Sequence, residues 1–122
     1  MPKLQAFRKG TLSEASASPG ITRHLAYKGD GFLVLHAESV PGVISGWHHH
    51  GDYDIYGYVV SGSARLESTS EDSESIIVHP GDFFHVPAHT VHREINPSSE
   101  EDNEIILFLQ GTGPMVFNVE HP

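Results

Sequence analysis

The chain contains no cysteine, which excludes disulfides, thiolate ligands and a thiol nucleophile together and leaves the redox compartment open. Basic residues are scarce: 7 Lys and Arg stand against 16 Asp and Glu, for a formal net charge of -9. That balance disfavours phosphate backbones and anionic membrane surfaces as partners. No apolar run approaches the length of a membrane-spanning helix. The opening residues, MPKLQAFRKGTLSEASASPG, lack the apolar stretch of a signal peptide. A soluble, cytoplasmic protein with no nucleic-acid or membrane partner is the expectation. Also missing are a glycine-rich phosphate loop, a Gly-x-Ser-x-Gly elbow and, outside the N-terminal arm, any helical apolar period held for three turns.

What is present fits one domain over residues 1–122, long enough for a real core but too short for two. Residues 1–20 scatter Ser, Ala and Gly with weak periodicity and read as a loosely structured arm with room for one short strand. From Ile21 the chain breaks into short runs rich in β-branched and aromatic residues: 21–27, 32–40, 43–50, 55–61, 64–68, 75–79, 83–86, 91–95, 105–110 and 115–119. Turn signals such as Gly29-Asp30-Gly31, Pro41-Gly42, Ser61-Gly62-Ser63, Pro80-Gly81-Asp82 and Asn96-Pro97 separate them. Many short strands at regular turn spacing predict an all-β sandwich or barrel. Two acidic stretches, 68–75 and 98–104, lack the spacing of a calcium loop and read as solvated loops.

The chemistry concentrates in histidines. Trp47-His48-His49-His50 is echoed by Pro87-Ala88-His89-Thr90-Val91-His92. His48 and His50 are two apart, so on a strand both imidazoles leave one face. His92 lies in a second strand-like run. Three imidazoles converging from two strands form a site for a single transition metal.

These residues resemble the two motifs of the cupins. The first motif runs Gly, five residues, His-x-His, three or four residues, Glu, six residues, Gly; here Gly42, His48, His50, Ile55 and Gly62 fall at those places. The second runs Gly, five residues, Pro-x-Gly-x-x-His, three residues, Asn; here these are Gly81, Pro87, His89, His92 and Asn96. Both fit without insertion and together span 42–96. The resemblance implies a double-stranded β-helix, the cupin jelly-roll barrel, with His48, His50 and His92 as metal ligands. Two departures stand out. His89 replaces a turn glycine, and Ile55 replaces the glutamate that usually completes the ligand set.

Three neutral imidazoles leave the full charge on the ion and suit Fe, Ni, Zn or Cu, with Mn less favoured. By resemblance the expectation is an Fe(II)-dependent dioxygenase acting on a small oxygenated organic molecule, and a homodimer. The alternatives are a non-catalytic metal or small-ligand sensor, or a redox-neutral Zn or Ni isomerase or lyase. Alternation along the second-motif strand puts Glu94 on the same face as His92, inside the cavity. It is the candidate catalytic residue, moving a proton, binding the metal or orienting its water, against the alternative of a carboxylate paired with a neighbouring Arg. A bulge at Ile55 would instead swing Asp54 or Tyr56 inward. His49 points the opposite way from His48 and His50. His36, His79, His85 and His89 are weaker cavity candidates, and His24 and His121 read as surface. Tyr53, Tyr56 and Tyr58 line a substrate mouth or pack a sheet or dimer face; Trp47, Phe83 and Phe84 read as core or interface. Asn96 reads as a turn former, and 115–119 as an edge strand within the chain or across a dimer.

Overall fold

The computed structural model describes residues 2–69 and 75–120. Within them the chain forms a 3-10 turn at Lys9–Thr11 and eleven strands. The strands are β1 (Ser13–Ser18), β2 (Ile21–Gly29), β3 (Phe32–Ser39), β4 (His48–His49), β5 (Asp54–Ser61), β6 (Ala64–Ser68), β7 (Ser75–Val78), β8 (Phe83–Val86), β9 (His92–Ile95), β10 (Asn103–Gln110) and β11 (Phe117–Asn118). One sheet has the order β1-β2-β3-β10-β5-β8 and the other β11-β4-β9-β6-β7. All the pairings are antiparallel, giving the all-β, double-stranded β-helix expected from the sequence. His121 and most of the acidic stretch 68–75 lie outside the described residues.

Strand alternation decides what each face holds. Leu35 and Ala37 of β3, Leu107 and Leu109 of β10 and Ile55 of β5 point inward with Val86 and Tyr53 to form the main core cluster. Burying one large aliphatic side chain of this kind stabilises the fold by about 1.5–3 kcal/mol. The register sets Val34, Phe108, Tyr56 and His85 side by side on the opposite face. There an aromatic ribbon crosses the sheet. Phe7 packs edge-on to Tyr27 at 5.3 Å, Tyr27 stacks on Phe32 at 5.6 Å, Phe32 on Phe108 at 5.4 Å, and Tyr56 on His85 at 4.7 Å. β5 carries no bulge beside Ile55, so Asp54 and Tyr56 face away from the interior. Tyr53 is buried and donates its hydroxyl to the Gly113 carbonyl at 3.1 Å. The tyrosines therefore pack the sheet and its outer face.

The arm contributes the one short strand it had room for, β1, which pairs with β2 at the sheet edge. Two segments depart from the sequence reading. The run 43–50 is not one strand. Ser45 donates its amide to the Glu94 carbonyl, but the Glu94 amide donates in turn to Ser45 Oγ at 2.8 Å. A side chain thus replaces a backbone carbonyl, and regular pairing resumes only at His48. The run 115–119 shortens to β11, which pairs with β4 of the same chain.

His89 keeps the left-handed backbone that its turn requires, with φ +61°, at a cost of order 1–3 kcal/mol for a non-glycine residue. Its ring stands 2.9 Å from an Asp52 carboxylate oxygen. Asn96 does far more than turn the chain. It is 1% exposed, and its Nδ2 donates to the carbonyls of Ser39, Val40 and Glu101 at 3.2, 3.1 and 2.9 Å, while Oδ1 accepts from the Ser98 amide. One amide side chain ties the end of β3 to the loop that leads into β10.

Candidate metal centre

His48 and His92 are directly opposed across the β4–β9 ladder, so their rings leave one face at the closest spacing a sheet offers, with centroids 4.4 Å apart. His50 lies just past β4, and its ring completes a triangle at 4.9 Å from His48 and 5.1 Å from His92. The three imidazoles that the sequence singled out do meet.

Each ring is held by its other nitrogen. Nδ1 of His48 donates to the Gly46 carbonyl, Nδ1 of His92 to the Thr90 carbonyl and Nδ1 of His50 to the Met115 carbonyl, all at 2.9 Å. A carbonyl oxygen can only accept, so Nδ1 carries the proton in all three and the Nε2 lone pairs are free. This arrangement fixes tautomer and orientation in the way metal-binding histidines require. His48 Nε2 is buried with no hydrogen-bond partner among the described residues, a costly state unless something fills the space in front of it.

Glu94 of β9 faces the same space, as alternation predicted. Its Oε1 lies 3.8 Å from Nε2 of both His48 and His92, and its Oε2 lies 3.3 Å from Nη2 of Arg23. It is therefore both turned toward the cluster and paired with an arginine. One ligand atom from each of His48, His50, His92 and Glu94 falls within 4.8 Å of the others. Donors about 2.1 Å from a shared ion stand about 3.0 to 4.2 Å apart, so the donor set fits a single divalent ion with small adjustment.

The electrostatics couple the four groups. Burial, and then the neighbouring His48 and His92, push His50 down to about 4, so its imidazole is neutral at physiological pH. Burial also pulls His48 down, but the Glu94 carboxylate outweighs it and the net displacement is upward. For Glu94, burial works against ionisation and is overcome by His48, His92 and Arg23, which hold its carboxyl well below the usual carboxylate range. A cluster of three imidazoles and one carboxylate is satisfied by a proton on an imidazole or by a cation.

The remaining candidates fall outside the cluster. Ile55 is buried in the core, and no other carboxylate takes its place in the first-motif strand. His49 stacks on Phe117 at 4.8 Å and accepts from the Gly51 amide, a packing role. His36 is tied to Glu104 at 2.7 Å and His85 to Asp54 at 2.9 Å, while His79 is exposed. Trp47 lies under the Arg93 guanidinium at 4.6 Å.

A cavity of about 380 Å³ opens on His48 and His50, and most of its lining residues are polar, among them Ser16, Ser18, Arg23 and Ser45. A second cavity, of about 230 Å³, reaches His92 from another side past Leu66, Ile76 and Val86. The sequence reading missed Arg23. The signal was available, since Arg23 alternates with Ile21 and Leu25 along β2 and so belongs to an inward face.

A family model described as "Cupin domain" matches residues 35–109. Beta-conglycinin beta subunit 1 of Glycine max is 37% identical over 76 residues, which is 62% of this chain but 17% of that protein's length. Among solved structures, KdgF from Halomonas sp. superposes with a TM-score of 0.74 at 24% identity, covering 91% of this chain and 96% of that one. The polyketide cyclase RemF from Streptomyces resistomycificus gives 0.78 at 18% identity, covering 98% and 88%. At these identities the structural likeness carries the fold.

Proposed function

We infer that this chain, which belongs to the cupin family, is a mononuclear metalloenzyme, with an Fe(II)-dependent dioxygenase acting on a small oxygenated organic molecule as the best specific reading. The observation that supports it is the set of three Nε2 lone pairs and one carboxylate oxygen aimed at a common point beside a polar cavity. His48, His50 and His92 would hold the ion. Imidazole and carboxylate donors without thiolate are compatible with non-haem iron, which supplies Lewis acidity and a redox couple open to dioxygen. Metal content after purification without added metal, followed by oxygen uptake with diketones and phenols, tests the reading. Iron with substrate-dependent uptake supports it. Zinc or nickel with oxygen-independent turnover points to an isomerase or lyase, and metal without any turnover points to a sensor.

Glu94 is best read as the fourth donor, supplied from the second motif where Ile55 closes off the first. A general base works best with a pKa near the operating pH, and Arg23 with two imidazoles holds this carboxyl far below it. Glu94→Gln is expected to weaken metal binding at least about 10-fold, the lower end of what losing even an outer partner costs, read by competition with a chromophoric chelator. Unchanged affinity with lost turnover would return Glu94 to the role of proton carrier.

We place the homodimer contact on the aromatic ribbon, where Tyr56 and Phe108 lie at the centre of an uncovered sheet face. Phe108→Glu is expected to convert a dimer of the 13.4 kDa chain to a monomer in light scattering. A wild-type protein that already runs as a monomer at high concentration would dismiss the contact.

A further inference from the structure

We propose that the polar cavity beside the metal centre takes a small organic carboxylate and that Arg23 reads its charge; the inference rests on the mononuclear metal site proposed above. Among the described residues Arg23 is the one Lys or Arg lining that cavity, and its side chain is only 9% exposed. A buried guanidinium requires an anionic partner. Glu94 meets that need poorly. The contact is a single point at 3.3 Å, whereas strong charge-assisted pairs are about 2.7–2.9 Å and often bidentate. The other contact of Arg23 is to Ser18 Oγ at 3.2 Å. These two bonds use two of the five N–H donors that a guanidinium offers.

Charge counting leads to the same place. With a divalent ion bound, one carboxylate and one guanidinium would leave two positive charges facing the cavity, in a chain whose formal net charge is -9. The local excess is therefore not part of a general attraction for anions; it belongs to this pocket. Ser16 Oγ, also on the cavity wall, is buried without a hydrogen-bond partner among the described residues. A volume of about 380 Å³ is at the small end of the range for organic ligands.

The test uses the protein loaded with redox-silent zinc and titrates it calorimetrically with short hydroxy- and oxo-acids, each against its uncharged amide. At least a tenfold preference for the acid is expected. Arg23→Gln should cut that preference sharply while zinc stoichiometry stays at one. A carboxylate held by the ion alone would keep its preference in Arg23→Gln, and that result overturns the proposal. So does equal affinity for acid and amide, or no binding of any acid tested. Should Arg23→Gln fail to fold, nitrogen-15 spectra of arginine side chains in the unsubstituted zinc protein decide. The Arg23 signal must shift with the acid and not with the amide, and an unmoved signal overturns the assignment. A protein that takes up no ion sinks the metal reading and leaves this inference to that signal. A zinc-loaded protein indifferent to the carboxylate sinks this inference alone.

Discussion

Asn96→Asp is expected to cost the fold at least about 3 kcal/mol at neutral pH, a large share of the 5–15 kcal/mol that holds a typical domain together. The substitution keeps the shape and the acceptor for the Ser98 amide. It removes the two N–H donors that serve the carbonyls of Ser39, Val40 and Glu101 and sets a negative charge against those three oxygens. Surroundings of that kind raise the pKa of the introduced carboxyl above its unfolded value. The folded state then binds more protons than the unfolded one, so stability falls as pH rises through that window and recovers as pH falls. Denaturant titration of variant and wild type at pH 7 and pH 5 checks both parts. The gap between them should be large at pH 7 and smaller at pH 5. A variant that matches wild type at pH 7 would show that Asn96 only turns the chain.

The second large effect falls on the ion. His92→Ala should lower metal affinity by well over a hundredfold, since even loss of an outer partner to a ligand costs 10–100-fold. His92 is 3% exposed and faces His48 across the ladder, so solvent cannot readily substitute for it. A ligand that binds only the folded state stabilises it by about 2.7 kcal/mol at a hundred times its dissociation constant. Added metal should therefore raise the melting temperature of wild type and leave His92→Ala unmoved. His49→Ala, whose ring stacks on Phe117 away from the cluster, should retain full metal stoichiometry. Stoichiometry near one in His92→Ala would break the three-imidazole site.

Strand positions were legible because β-branched runs and turn residues alternate cleanly: β6 and β8 fall where the runs 64–68 and 83–86 were drawn, and β2, β3, β5 and β10 differ by a residue or two at their ends. The meeting of His48, His50 and His92 was legible because motif spacing encodes the β4–β9 register. What was hidden depends on contacts distant in sequence. Nothing near His50 announces that the Met115 carbonyl will hold its ring. Ser45 breaks the ladder only because Glu94 lies opposite it. Asn96 looks like any turn asparagine until β3 and the loop before β10 close around it. Glu94 was readable by alternation, but its tie to Arg23 spans 71 positions, and local pattern carries no such information.

The final segment is clasped to the metal strand at several points. The Met115 carbonyl accepts a hydrogen bond from His50 Nδ1, Phe117 covers His49, and the Val119 amide donates to the Trp47 carbonyl at 2.9 Å. Detaching it would leave the His50 ring free to rotate out of alignment. By reciprocity, whatever fastens that ring must also fasten the segment. Slowed hydrogen exchange at Val119 would then report, from the far end of the chain, that the centre is filled.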